Sequence, residues 1–260
     1  MENQTNVKRG FIRALWGVYD HQGKSRFWTR REKVDNDIEL VLNSKYSPPF
    51  MTYVFGKDNY SYLVDKGVAC KLIDDKPILW DMDTQQFRHK LEVFKAGMED
   101  LDEIIFLDWD CIPIKPVPDY LWETLGKKAP IQAILRQYFK RKANWRKIDM
   151  RKVPCASFVY IRDKKIPLEL IRIWEELGRP WSEETVMAKY IDDLMGGWKG
   201  LDQYWDLYEP TFFVLPYAHV YSEEQRKTKD VVFNHFNARG VATSLRMIRG
   251  NTANKFKWLK

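Results

Sequence analysis

Four Asp-x-Asp pairs punctuate the chain, at Asp35/Asp37, Asp81/Asp83, Asp100/Asp102 and Asp108/Asp110. A lone pair of this kind says little, so its setting has to discriminate. Asp35/Asp37 falls at the start of a helical pattern, where carboxylates favour the positive end of the helix dipole, and reads as solvated first-turn charge. Asp81/Asp83 lies in a polar loop beside Trp80. Asp100/Asp102 sits between a helix and the strand that follows, at the wrong end of that strand for a ligand. Asp108/Asp110 alone comes directly after a buried-type apolar run, Ile104-Ile105-Phe106-Leu107. At the end of an extended segment residues two apart project to the same side, so both carboxylates can face one ion. Hard cations such as Mg²⁺ or Mn²⁺ take carboxylate oxygens together with substrate phosphates, which makes a diphosphate the natural third party.

The elements that must hold this pair follow from periodicity. Phe87, Leu91, Phe94 and Met98 recur on one helix face, with Thr84 as its cap, immediately before the 103–107 strand. Upstream, strands are expected over 11–18, 51–55 and 69–73 and helices over 33–42 and 60–66. Downstream, strands are expected over 131–135, 157–161, 212–215 and 231–236. Helices are expected over 167–177, with Leu168, Ile171 and Trp174 facing inward, and over 183–195. Alternating strands and helices predict a single α/β domain with a mostly parallel, Rossmann-like sheet flanked by helices over residues 1–240, and a basic tail over 241–260. Ligands of such sheets bind beyond the carboxyl ends of the strands.

Composition sets the outer bounds. A 260-residue chain with 45% hydrophobic and 15% aromatic residues can bury a substantial core and is not disordered. The longest apolar runs fall far short of the roughly 20 residues of a membrane span. A polar N-terminus without an apolar stretch predicts a cytoplasmic location. Cys70, Cys111 and Cys155, odd in number and without metal-type spacing, predict ordinary thiols rather than a disulfide framework or zinc site. The net charge of +7 is unevenly spread. Residues 81–110 are rich in carboxylates, whereas residues 136–152 carry eight Lys and Arg against Asp149, interleaved with Tyr138, Phe139 and Trp145. Such a loop suits an anionic acceptor, whether glycan, lipid head group or nucleic acid, or is simply solvated. The tail, with Phe256 and Trp258, suits peripheral contact with an anionic membrane or is simply an untethered basic tail.

Phe106-Leu107-Asp108-Trp109-Asp110 with Cys111-Ile112-Pro113 resembles the strand and DxD motif of nucleotide-sugar glycosyltransferases of the GT-A fold. The wider pattern is most similar to glycosyltransferase family 8, the family of glycogenins and lipooligosaccharide galactosyltransferases. Lys90-Leu91 resembles the family's basic residue and leucine on the helix before the DxD strand, with Arg88 close by; the resemblance implies that this basic side chain reaches the donor diphosphate. Residues 154–160 resemble the family's "FNSG" strand, with Cys155 and Ser157 in place of its Asn and Gly. Gly200-Leu201-Asp202-Gln203 resembles its "DQ" segment, which implies that Asp202 and Gln203 lie beside the reacting sugar. Residues 231–237 resemble its "V-x-H-F" strand, which implies His235 as third metal ligand with Asp108 and Asp110. Asn237-Ala238-Arg239-Gly240 departs from the lysine motif expected next, so the diphosphate-binding lysine that the resemblance implies is either replaced by Arg239 or absent.

The same resemblance places the nucleotide base at the end of the first strand. There Trp16 or Tyr19 would stack on it, Gly17 would allow close approach and Asp20 would bond base or ribose; a buried aromatic followed by a turn is the other reading of the same residues. Trp109 joins this donor-contact group. The function implied is a metal-dependent transfer of a sugar from a nucleoside diphosphate donor, a UDP-sugar favoured, to an acceptor hydroxyl. Retention of configuration is expected, with Mn²⁺ or Mg²⁺ as cofactor; an inverting enzyme would need Asp202 as base. Two rivals fit the residues taken alone: a metal-dependent nuclease or nucleotidyltransferase, and a non-catalytic glycan- or nucleic-acid-binding module.

Overall fold

A computed structural model of the chain describes residues 7–17, 31–78, 87–113, 115–128, 130–135, 154–178, 182–195, 214–216 and 233–235. Its elements in order are β1 (Arg9–Leu15), α1 (Arg31–Leu42), β2 (Phe50–Phe55), α2 (Lys57–Asp65), β3 (Cys70–Asp74), α3 (Arg88–Asp100), β4 (Glu103–Leu107) and β5 (Cys111–Pro113). There follow α4 (Leu121–Lys128), β6 (Ile131–Leu135), β7 (Pro154–Ile161), α5 (Lys165–Glu176), α6 (Glu183–Met195), β8 (Val214–Pro216) and β9 (Phe233–His235).

Six strands form the main sheet in the order β3-β2-β1-β4-β7-β6. β1 pairs in parallel with β2 and β4, and β2 in parallel with β3. β7 alone runs against its neighbours. The chain builds outward from β1 to β3, then returns to lay β4 on the other side of β1. That reversal is the switch point at which open α/β sheets place ligands, and Asp108 stands at the end of β4 beside it.

Alternation along the strands divides the core into two layers. Ile12, Ala14 and Trp16 of the β1 segment and Ile104 and Phe106 of β4 face Leu91, Phe94 and Met98 of α3, with Ile166, Leu170 and Trp174 of α5 behind them. Phe11, Ile105 and Leu107 point to the opposite face, against Leu121 and Leu125 of α4, while Leu15 and Val54 meet Val34 and Ile38 of α1. Strands covered on both faces need continuous apolar runs, which is why residues 104–107 show no polar alternation. α3 comes so close to the sheet that a Cβ on Gly97 would sit 2.8 Å from the Ile12 side chain.

Several expectations shift. α1 begins at Arg31, so Asp37 lies in its second turn and is buried, not a solvated first-turn charge. On α5 the inward face is Ile166, Leu170, Ile173 and Trp174, spaced four, three and one apart, which turns Leu168 outward at 52% exposure. α4 and β5 had no sequence counterpart; β8 overlaps the strand expected over 212–215 and β9 lies within that expected over 231–236, but their joining with β5 into a second sheet, β5-β9-β8, was not expected. Thr84, Asp81 and Asp83 lie outside the described residues, as do the basic loop over 136–152 and the tail over 241–260.

Candidate functional site

The end of β4 does not continue as a strand. The amide of Cys111 donates to the carbonyl of Asp108 at 2.9 Å, closing a turn over Asp108-Trp109-Asp110. A reversal, rather than an extended alternation, therefore presents the two carboxylates. The turn is held from below. Arg13, fully buried on β1, donates to the carbonyls of Asp108 at 2.5 Å and Cys111 at 3.1 Å. Its guanidinium also lies over the rings of Phe50 and Trp109 at 5.1 and 5.3 Å. Burial pushes the Arg13 pKa down to about 10, and the nearby Cys111, Asp108 and Asp110 oppose that fall. Trp109, between the two aspartates, donates its indole N–H to the carbonyl of Ala14 at 2.8 Å, so this side chain staples the turn to β1.

Lys90 enters from α3. Its ammonium, almost wholly buried, bridges Asp108 Oδ1 at 2.9 Å and Glu183 Oε1 at 3.0 Å, lies 3.4 Å from the carbonyl of Ala156, and sits 5.3 Å from the centre of the Phe106 ring. Burial alone would lower its pKa, but Asp108 and Glu183 together outweigh that and hold it above the usual lysine value. The Lys90 pairing extends the site to α6, whose first turn holds Glu183 and Glu184 where acidic groups suit the helix dipole. Glu184 accepts a hydrogen bond from the amide of Ala156 at 3.2 Å. Neither glutamate was expected from sequence. The available signal was an acidic pair opening a helix with apolar Val186 and Met187 behind it. Arg88 instead bonds Glu92 at 2.7 Å and Glu175 at 2.9 Å, along the seam of α3 and α5.

At the neighbouring strand ends Trp16 packs into the core with 9% exposure. Gly17 forms a bridge to Ile78, whose amide donates to the carbonyl of Trp16 at 2.7 Å. Buried Asn59 of α2, a third residue not singled out in the sequence, donates to the carbonyls of Gly17 and Phe55 at 3.0 and 2.9 Å. Gly56 adopts φ 92°, and a Cβ there would meet Pro77 at 2.8 Å, so the 75–78 segment crosses the strand ends on a position that only glycine fills without strain. Asp100 and Asp102 lie at the far end of the sheet as expected: Asp100 takes Lys71 and the Tyr53 hydroxyl, and Asp102 takes the amide of Lys8.

The donor chemistry suits a divalent cation. Asp108 and Asp110 both bear electrostatically on Arg13, Lys33 and Asp37, so they share one small region, and the Asp108 side chain keeps 25% exposure. β5 and β9 run antiparallel with Cys111 opposite His235, so the strand register brings the backbone of His235 beside the residue that follows Asp110. Among the described residues, no three His, Cys, Asp or Glu side chains group closely enough to hold an ion by themselves. Two carboxylates with room for outside ligands suit Mg²⁺ or Mn²⁺, which keep waters and phosphates in their shell. Tyr19, Asp20, Asp202, Gln203 and Arg239 lie outside the described residues. Among the described residues, no helix is long and apolar enough to cross a membrane.

His89, beside Lys90, meets the ring of Phe55 edge-on at 5.3 Å. Burial, helped by the charge of Arg88 and opposed by Asp74, pushes its pKa down from 6.5 to about 4. The unfolded chain therefore takes up this proton first as the pH falls. The stability tied to neutral His89 is complete above pH 6.5 and drains away toward pH 4. The urea midpoint of the wild type should accordingly drop across that window relative to His89→Gln at matched pH. Parallel curves for the two proteins would refute this assignment.

No family model and no curated protein matches this sequence. Solved structures do match it. One is a glycosyltransferase involved in the glycosylation of the major capsid of PBCV-1, 12% identical with a TM-score of 0.50, the match covering 92% of this chain and 98% of that one. Another is the galactosyltransferase LgtC in complex with donor and acceptor sugar analogues, 14% identical with a TM-score of 0.50, covering 94% and 99%. At such identities the likeness is one of fold. The chain has the α/β fold of these glycosyltransferases across most of its length, the GT-A fold that the sequence led us to expect.

Proposed function

We propose that this chain is a glycosyltransferase that moves a sugar from a nucleoside diphosphate donor, a UDP-sugar by preference, to an acceptor hydroxyl with retention of configuration. The observation that carries the reading is the buried Lys90 ammonium shared by Asp108 and Glu183 at the switch point of the sheet. A fixed cation beside a carboxylate turn is what a departing diphosphate requires, because charge grows on its oxygens as the glycosidic bond breaks. The fold shared with two glycosyltransferases supports the same reaction class.

In this reading Asp108 and Asp110 hold Mn²⁺ or Mg²⁺, with His235 the candidate third ligand. The bound ion supplies Lewis-acid neutralisation of the diphosphate. Arg13 and Trp109 keep the turn in shape from beneath. Glu183 fixes Lys90, so that the ammonium is positioned before the donor arrives. Gly17, braced by Asn59 and Ile78, leaves backbone close to the base, with Tyr19 and Asp20 next in the chain. Asp202 and Gln203 are the candidates for the sugar side, and Arg239 is a further candidate for the diphosphate. The basic 136–152 loop suits an anionic acceptor.

The test is a panel of nucleotide sugars incubated with the full chain and Mn²⁺ and scored for nucleoside diphosphate release, with the anomer of the product read by NMR. Release from at least one donor is expected. If no donor is hydrolysed or bound, or if nucleic acid is cleaved without any sugar donor, the proposal falls.

A further inference from the structure

We propose that Asp37, acting through Lys33, sets the cation affinity of the Asp108–Asp110 turn; the inference rests on the metal reading above and concerns a positioning residue, not a ligand. Asp37 is 2% exposed in the middle of α1. It accepts a hydrogen bond from Lys33, one helical turn earlier, through Oδ2. Its other oxygen, Oδ1, is buried without a hydrogen-bond partner. A carboxylate buried with half its acceptor capacity unused is costly, and the surrounding positions Val34, Ile38, Leu40 and Val41 are all apolar. Nothing in the packing of α1 calls for a charge here.

The location supplies a reason. α1 lies directly on the turn: Leu40 and Val41 pack with Ile112 and Trp109, and the Ser44 hydroxyl donates to the carbonyl of Pro113 at 3.2 Å. Asp110 and Asp108 both act on Lys33 and on Asp37. The Lys33 ammonium is thus within the influence of both carboxylate groups while its hydrogen bond goes to Asp37. Two consequences follow, and they have the same sign. Asp37 cancels the positive charge that Lys33 would otherwise project onto the turn, and it anchors the ammonium so that Lys33 does not compete with a divalent ion for Asp110.

The test is Mn²⁺ binding by the full-length chain without nucleotide, read from the EPR signal of free Mn²⁺ at pH 8, where burial, which pushes the Asp37 carboxyl up to about 7, still leaves it ionised. Asp37→Asn should weaken binding by about ten- to thirty-fold, the order expected for one charge several ångströms away at an effective dielectric near 20. The double variant Lys33→Met/Asp37→Asn removes the pair together and should return the affinity to within about threefold of wild type, since the same pairwise cancellation is then made without either charge. Melting curves establish that each variant is folded. An unchanged affinity in Asp37→Asn overturns the inference. So does a double variant as weak as the single one, which would mean that α1 had merely shifted. Wild-type binding that is lost in Asp110→Asn but intact in Asp37→Asn sinks this inference alone. A wild type with no Mn²⁺ binding sinks the metal reading and the inference with it.

Discussion

Replacing Lys90 by methionine is expected to cost about 3 to 5 kcal/mol of stability, the range for removing one partner from a buried ion pair. The ammonium is enclosed and its contacts to Asp108 and Glu183 lie at 2.9 and 3.0 Å. Without it the Glu183 side chain, 4% exposed, is left as a buried and uncompensated charge. The carboxyls then have to take up protons or admit water, and either route favours unfolding. Much of the loss should therefore belong to the stranded glutamate rather than to the lysine. Adding Glu183→Gln to Lys90→Met should restore a large part of the stability, while Glu183→Gln alone should destabilise. Urea denaturation of the three variants closes the cycle. A loss below about 1 kcal/mol for Lys90→Met, or no recovery in the double variant, would show that the bridge is not what holds α3, β4 and α6 together. Under the proposed reaction, Lys90→Met with Glu183→Gln would still lack the diphosphate cation and remain inactive although folded, which separates the two roles.

The second large effect lies in catalysis. Asp110→Asn should reduce nucleoside diphosphate release by about 10²- to 10³-fold in kcat, comparable to removing one electrostatic contact at a developing negative charge. Asp110 is the better probe of the two aspartates, because Asp108 is also the partner of Lys90 and its loss would unsettle the fold. The stability change is informative too. Asp110 adds to burial in pushing Asp37 up to about 7, but it also favours the charged forms of Lys33 and Arg13, so its neutralisation relieves one stress and removes two attractions. The melting temperature of Asp110→Asn should therefore move little while activity collapses. A variant that loses activity only in proportion to a loss of folded protein would overturn Asp110 as a functional group.

How far the sequence reached is clearest residue by residue. Phe87, Leu91, Phe94 and Met98 announce α3, and the unbroken run 104–107 announces a strand covered on both faces, because helical and buried-strand spacing are local properties of the chain. Lys90 was reachable from its motif, and the structure puts it on Asp108. The apolar runs over 212–215 and 231–236 likewise announce β8 and β9, whereas three-residue β5 was not reachable, since a strand that short carries no period to detect. Leu168 was placed on the wrong face because an apolar residue near a helix start satisfies two adjacent phases, and only the packed neighbours choose between them.

The sequence by itself therefore determined the order of strands and helices and the position of an acidic turn at a strand end. Tertiary structure alone decided which charges are buried around that turn: Arg13 under it, Glu183 across from it, and the Lys33–Asp37 pair beside it. The physical reason is that a buried charge is tolerated only with a partner, and two of these find theirs far along the chain. Arg13 reaches the carbonyl of Asp108 from 95 positions away, and Glu183 meets Lys90 from a separate helix. Lys33 and Asp37 do lie one turn apart on α1, the commonest spacing for a solvated surface pair. Nothing in that spacing distinguishes it from a pair sealed beside the candidate site until Trp109 and Ile112 have packed against α1.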